Sequence, residues 1–506
     1  MEVFNLLAEG FVIVFQPLNL ALVIAGCAIG LFVGAMPGLG SINGVALMLP
    51  LTFLVPPSSA IMFLAAIYYG AMYGGAISSI MLGIPGASTA VATVFDGRPL
   101  ALQGKADWAL VTAAMASFFG GTVAVVLFTL FAPPLAEVAL RFGPPETFAL
   151  MLVAFATFVG LGGDDVAKTF FSIFFGLVMS SVGVDILSGN PRLIFGDITG
   201  FFHGISFLVL SIGIYGIGEV LWTVEVFRKE AEVTQAKFSF RGIMVAIKKA
   251  LGTYRAMIMG SFLGYFIGVL PAAGATPGSL MSYGVAKMIA KDRASYGKGN
   301  INGVAAPEAA NNAASTGAML PMLTLGIPGS PTTALLLGGM MIWGLQPGPM
   351  LFVTDKDFVW GLIASLYAAN LFALLINLAF IPVFIWALKL PFTILAPVIY
   401  MLCLIGTYAV TENLHDVWLM LGFGVAAYLA RKLDVPMAPA VLAVVLGPLT
   451  ERALRQSLVM SGGSFEIFFA RPMSGPIMVI AIALLLLPLF NMIWRRVRDR
   501  VSKSPA

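Results

Sequence analysis

Charge is what this chain has least of. Of 506 residues only 10% are Asp, Glu, Lys or Arg, and the mean hydropathy is +0.97; a soluble protein carries about 25% charged residues. A soluble globular fold is excluded, and the composition is that of a polytopic membrane protein. The long, continuous apolar runs exclude a membrane β-barrel, whose strands read as short alternating segments. Cysteine is also scarce: Cys27 and Cys403 both sit in apolar stretches. They exclude a disulfide framework and read as small buried hydrophobes. His203 and His415, the two histidines, form no metal-ligand cluster. HExxH, Walker and GxGxxG patterns are missing, as is any nucleophile–base constellation. Neither an enzyme nor direct ATP drive is expected, and with them no cofactor and no transition-metal site. "MEVFNLLAEGF" has no basic n-region, so no cleavable signal peptide is expected at this end.

The charge that is present is clustered. Of 28 Lys and Arg, 11 lie between Arg228 and Lys298, and five more lie between Arg495 and Lys503. The positive-inside rule makes these segments cytoplasmic, so the basic balance sets orientation and is not a nucleic-acid footprint. Apolar stretches of bilayer length, about 20 residues each, fall near 60–81, 108–132, 146–163, 168–188, 202–226, 301–325, 357–388, 393–411, 414–430, 434–450 and 475–494. They predict an all-α polytopic membrane protein with about 11–12 spanning helices. The expected organisation is a first transmembrane repeat (1–226), an amphipathic cytoplasmic connector (227–255), a second repeat (256–494) and a basic cytoplasmic tail (495–506).

Two motifs recur in the same order in both halves. "GAMPGLGSING" (34–44) matches "GVLPAAGATPG" (268–278) at an offset of 234, and "LGIPG" at 82–86 recurs at 325–329 at an offset of 243. The second offset also aligns Gly74 with Gly317 and Leu102-Gln103 with Leu345-Gln346, which marks an internal duplication. "LTFLVPPSSA" (51–60), between the motifs of the first half, has no charge. Its counterpart "AKMIAKDRASYGKGN" (286–300) holds Lys287, Lys291, Arg293 and Lys298. Equivalent loops on opposite membrane faces predict an inverted repeat. The arms 256–270 and 278–290 are too short to span a bilayer at 1.5 Å per residue. A re-entrant hairpin entering from the cytoplasm is therefore expected there, with its first-half equivalent at about 18–56 entering from the opposite side and the N-terminus periplasmic.

Inverted repeats with broken helices are the architecture of secondary transporters, where half-helix N-termini face anionic groups and freed carbonyls face cations. Behind each LGIPG a hydroxyl cluster opens the next segment: Ser88 and Thr89, then Ser330, Thr332 and Thr333. Free N–H groups at a helix start hold a carboxylate without a charged side chain. Residues 10–95, 256–286 and 309–354 contain no Asp, Glu, Lys or Arg, so Na⁺ is expected to offset the charge of a bound anion. The candidate substrate-binding residues are Gly38, Ser41, Asn43, Gly86, Ser88, Thr89, Gly274, Thr276, Gly329, Ser330, Thr332 and Thr333. The candidate cation ligands, through carbonyl and amide oxygens, are Pro37, Gly83, Pro271, Asn311, Asn312 and Gly326. Glu308 in "APEAANNAAS" lies close to the basic loop and reads as an interface residue at a helix N-terminus, with an ion ligand or proton relay as the alternative.

With these motifs, "GAMPGLGSINGVALMLPLTF", "LGIPGASTAVATVFDGRPLALQGKA" and "APEAANNAASTGAMLPMLTLGIPGSPTTALLLGGMMIWGLQPGPMLF", the chain resembles the large membrane subunit of the bacterial tripartite tricarboxylate transporters along essentially its whole length. The resemblance implies a multi-pass inner-membrane permease with two partners, a small membrane subunit and a periplasmic solute-binding protein. It also implies citrate-like carboxylates taken up with a cation gradient, here expected to be Na⁺. Two alternatives stay open on the residues alone: a channel, or a transporter for another organic acid such as an aromatic carboxylate.

Overall fold

A computed structural model describes residues 2–161, 165–185, 188–195, 199–226, 240–271 and 273–502. The first part of the expected connector (227–239), Ala272 of the second hairpin and the last residues of the tail (503–506) lie outside the described residues. What is described is almost entirely helical, apart from one antiparallel ribbon pairing Gly183–Val184 with Pro191–Arg192. Among the described residues six helices are long and apolar enough to cross a membrane, Pro17–Ala35, Pro57–Met81 and Lys356–Ala387 among them, and five apolar helices are shorter. Length and composition thus identify, among the described residues, six of the expected 11–12 spans. The apolar run 301–325 is divided at Ala318, and the helix Ala438–Met460 carries Glu451, Arg452 and Arg455.

Both motif pairs interrupt helices. The first hairpin consists of Pro17–Ala35 and Gly40–Met48, the second of Tyr254–Val269 and Ala275–Ile289. Their arms differ: Pro17–Ala35, at 19 residues, is itself of spanning length, whereas the second hairpin's arms have 16 and 15. Each LGIPG ends a helix and precedes another, Ser88–Ala90 continuing into Val91–Leu102 in the first half and Pro331–Ile342 in the second. The backbone at the turns is duplicated too. Gly40 and Gly274 have φ of +58° and +65°, and Gly83 and Gly326 have +73° and +70°. An L side chain pays a steric penalty there that glycine escapes.

The chain forms two compact units, each built from parts of both halves. The first is Met1–Glu137 with Leu208–Tyr428, and the second is Val138–Phe207 with Leu429–Ala506. In the first unit, Gly26, Gly30 and Gly34 lie so close to the helix Pro57–Met81 that a Cβ on each would overlap the carbonyl oxygen of Phe63, Ile67 and Ala71 in turn. Gly260, Gly264 and Gly268 meet the carbonyl oxygens of Ala306, Ala310 and Ala314 in the helix Asn302–Gly317 in the same way. The returning contacts match as well, with Gly74 against Leu31 and Gly317 against Tyr265. Every one of these pairs is related by the two sequence offsets. In lipid, where no hydrophobic drive holds helices together, small residues let backbones approach and supply packing energy instead. The two receiving helices are the most enclosed in the unit: residues 59–81 and 303–317 are all buried.

Helices of each half also pack on helices of the other half. Phe207–Val226, which includes a π-helical turn at Gly213–Ile217, lies against Phe392–Thr411 and Leu414–Lys432 in the first unit. In the second unit, Ala438–Met460 lies against Pro144–Leu161 and Val166–Ser180. An ion network pins the ribbon to this helix: Arg192 pairs with Asp185 and, at 2.9 Å, with Glu451, while Arg455 reaches Asp185 at 2.9 Å and Glu451 at 2.6 Å.

Candidate functional site

The hairpin tips and the LGIPG breaks meet in the first unit, and they meet crosswise. Gly40–Met48, the short arm of the first hairpin, packs on the second half's Pro331–Ile342, and Ser41 Oγ lies 3.0 Å from Thr332 Oγ1. Ala275–Ile289 of the second hairpin packs on the first half's Ser88–Ala90, and Thr276 Oγ1 lies 3.1 Å from Ser88 Oγ. Within the second half, the Gly274 N–H donates to the Gly329 carbonyl at 2.9 Å. Gly86 and Gly329 are each crowded by their own half: a Cβ at Gly86 would clash with the Gly34 carbonyl oxygen and approach Gly75, and one at Gly329 would clash with Ala318, the residue at the register of Gly75.

The two breaks differ in what they leave open. In the second, Ser330 and Thr333 form a capping box: Thr333 N–H donates to Ser330 Oγ at 3.1 Å, and Ser330 N–H to Thr333 Oγ1 at 2.8 Å. Tyr68 Oη lies 3.3 Å from Ser330 Oγ, and Ser330, Thr332 and Thr333 are all buried. These hydroxyls already serve the orphan N–H groups of the helix start. At the first break no side chain caps the turn Ser88–Ala90; Ser88 is exposed and Thr89 half-buried. Gly38 is exposed as well, with its carbonyl 3.4 Å from Asn43 Nδ2, and Pro37, Pro271 and Thr276 are half-buried. The accessible part of the candidate site is therefore the first break with the two tips, and the second break is its enclosed counterpart.

The candidate cation ligands are not gathered in one place. Gly83 lies beneath the side chain of Arg98, whose guanidinium donates to the Met81 carbonyl. Gly326 backs onto the Pro347 carbonyl. Asn311 and Asn312 lie deep in Asn302–Gly317 and are fully buried; the Asn311 amide donates to Met72 O at 3.5 Å and the Asn312 amide to Glu308 O at 3.2 Å.

Three charged residues enter this region that sequence reasoning did not place there. Arg98 lies just beyond the uncharged window 10–95, and the fold carries it back over Gly83. Glu219 faces the exposed tip, with its Oε1 3.5 Å from where a Gly38 Cβ would stand. Glu308 is the correction: it is no interface residue but fully buried, accepting from Thr93 Oγ1 and, at 3.1 Å, from Ser117 Oγ. Proximity in sequence to the basic loop misled, because the helix runs inward immediately after Asn302. A fourth group, buried Asp96, is a latch. Its Oδ1 accepts the N–H groups of Gly297, Gly299 and Asn300 at 2.9, 2.8 and 2.7 Å, and its Oδ2 accepts from Tyr283 Oη at 3.0 Å. The basic loop is thereby tied to the helix that follows the first break.

A family model described as "Tripartite tricarboxylate transporter TctA family" matches residues 20–442. A protein of Agrobacterium vitis described as "Uncharacterized 52.8 kDa protein in TAR-I ttuC' 3'region" is 35% identical over 504 residues, 99% of each chain. Another from the same organism, "Uncharacterized protein in TAR-II ttuC' 3'region", is 36% identical over 238 residues, which are 47% of this chain and 98% of that one. No solved structure matches.

Proposed function

Because the chain belongs to the tripartite tricarboxylate transporter TctA family, we propose that it is the permease subunit of a binding-protein-dependent secondary transporter that imports citrate-like tri- or dicarboxylates with Na⁺. The observation that carries this reading is the reciprocal junction, Ser41 with Thr332 and Ser88 with Thr276. Each hairpin tip closes on the other half's break through neutral hydroxyls and open backbone. A carboxylate held there meets N–H and O–H donors, and an alternation between the two junctions would open the site to one membrane face at a time. The half-helix at Ser88 is the donor end left free for the anion; the capped end at Ser330 is the one closed.

In this reading the chain is an inverted pair of repeats, 1–226 and 256–494, in the bacterial inner membrane. The connector 227–255 and the tail 495–506 are cytoplasmic, in keeping with their basic residues. A small membrane subunit and a periplasmic solute-binding protein complete the system, and the binding protein delivers the carboxylate. The test is uptake of radiolabelled citrate by cells expressing the chain with both partners, in sodium or choline medium. Concentrative uptake in sodium alone supports the proposal. Uptake that continues unchanged in choline removes the sodium coupling, accumulation no higher than the outside level indicates a channel, and full uptake without a binding protein removes the tripartite assignment.

A further inference from the structure

A fully buried carboxylate facing only neutral groups is costly unless a proton or a cation neutralises it. Glu308 is such a group: no Lys, Arg or His pairs with it among the described residues. It receives hydroxyls from Thr93 and Ser117, and the Asn311 side chain lies against the same carboxyl. Independently of the carboxylate, Asn311 Oδ1 and Asn312 Oδ1 are buried with no hydrogen-bond donor. A buried amide oxygen left bare loses its hydration with no return.

We propose that Glu308, Asn311 and Asn312, with the hydroxyls of Thr93 and Ser117, bind one desolvated monovalent cation of the Na⁺ type. A proton on Glu308 would satisfy one amide oxygen at most and leave the other bare. A cation draws carboxylate, amide and hydroxyl oxygens to itself together, all of them hard ligands. One carboxylate balances one positive charge, whereas a divalent ion would leave a net charge in the same enclosed space. Among the described residues no group of three or more His, Cys, Asp or Glu comes together, which fits an alkali cation rather than a transition metal. The site belongs to one half only. At the register of Glu308, Asn311 and Asn312 the first half has Ala65, Tyr68 and Tyr69.

The placement gives the cation a role. Thr93 stands in Val91–Leu102, one turn beyond Thr89 at the first break, while Glu308 stands in the helix that leads to the second. A cation between them fixes the helix start that would hold the substrate carboxylate, and each ligand then favours the other by linkage. This deepens the proposed sodium coupling and rests on it, so the test reads the ion itself.

Purified full-length protein, without any carboxylate, is equilibrated with ²²Na⁺, and retained counts are displaced with unlabelled Na⁺ or choline. Wild type is expected to bind, with displacement by Na⁺ and none by choline. Glu308→Gln is expected to bind at least about tenfold more weakly, since charge count among the ligands sets affinity, with Glu308→Asp intermediate. Thr93→Val combined with Ser117→Ala decides the matter should Glu308→Gln not fold. Undiminished ²²Na⁺ binding in folded Glu308→Gln, or none in wild type, overturns the site, whatever citrate uptake shows. Sodium-independent uptake alongside Glu308-dependent ²²Na⁺ binding instead refutes the coupling and leaves the site standing.

Discussion

Replacing Gly268 with alanine puts one methyl group into the closest helix crossing of the second half. The new Cβ would stand 2.2 Å from the carbonyl oxygen and 2.6 Å from the Cα of Ala314, well inside contact distance. Both are backbone atoms of an enclosed helix, so no rotamer change can make room. The helices must part by on the order of 1 Å, and overpacking of this kind costs about 1–3 kcal/mol. Gly284 provides the internal control. It lies in the other arm of the same hairpin, exposed, with no heavy atom within 4 Å of its would-be Cβ. Alanine there removes glycine's helix penalty and should stabilise by up to about 0.5–1 kcal/mol. Thermal unfolding of the purified protein, followed by tryptophan fluorescence, should therefore move down by a few degrees for Gly268→Ala and stay level or rise for Gly284→Ala. Gly34→Ala should behave like Gly268→Ala, because its Cβ would clash with the same backbone atoms of Ala71, at 2.3 Å from the carbonyl oxygen and 2.7 Å from the Cα. Equal midpoints for Gly268→Ala and Gly284→Ala would refute the close crossing; a harmless Gly34→Ala beside a damaging Gly268→Ala would refute its duplication.

Other consequences follow from the turns, the junctions and the latch. Gly83→Ala and Gly326→Ala force an L residue to φ near +70°, and each should lose about 1–2 kcal/mol, measured by the same unfolding assay. Cysteine pairs at Ser41 with Thr332 and at Ser88 with Thr276 should each cross-link under mild oxidation and arrest uptake until reduced, whereas Ser41 paired with Thr276 should not; free mobility of a correctly cross-linked protein would count against the crosswise junction. Asp96→Ala strips three loop N–H groups of their acceptor, a loss of about 1–3 kcal/mol for each charged hydrogen bond. Limited trypsin digestion at Lys291, Arg293 and Lys298 should accelerate, and an unchanged cleavage rate would show that Asp96 does not hold the loop.

The duplication was legible because it is written in residue types that only one backbone geometry wants. Gly40 and Gly274, and Gly83 and Gly326, recur at fixed offsets because the turns need positive φ, and Gly26, Gly30 and Gly34 recur because the crossing needs bare backbone. The breaks at LGIPG were legible for the same reason: proline and glycine announce local conformation. What was not legible is whatever depends on contacts far apart in sequence. Nothing near Ser88 names Thr276 as its neighbour, 188 residues away. Arg98 is not visible as a neighbour of Gly83 because an uncharged window is a property along the chain, and the fold doubles back over Gly83. Glu308 escaped because nearness to a basic loop is a one-dimensional cue, and burial is set by the helices of the first half packed around it. Capping at Ser330 is half visible in the sequence: hydroxyls behind a break suit an anion, whereas Ser330 and Thr333 use theirs on their own helix start.

In the proposed function a carboxylate is held at the first break, among Ser88, Thr89 and the two tips. Labelling of Ser88→Cys with a membrane-impermeant maleimide tests it most directly, in membranes bearing the chain and both partners. The native Cys27 and Cys403 are buried and should contribute little background. Citrate with sodium should slow labelling of Ser88→Cys, and citrate with choline should slow it less. Labelling at one rate with and without citrate, in membranes shown to accumulate citrate, would place the substrate elsewhere.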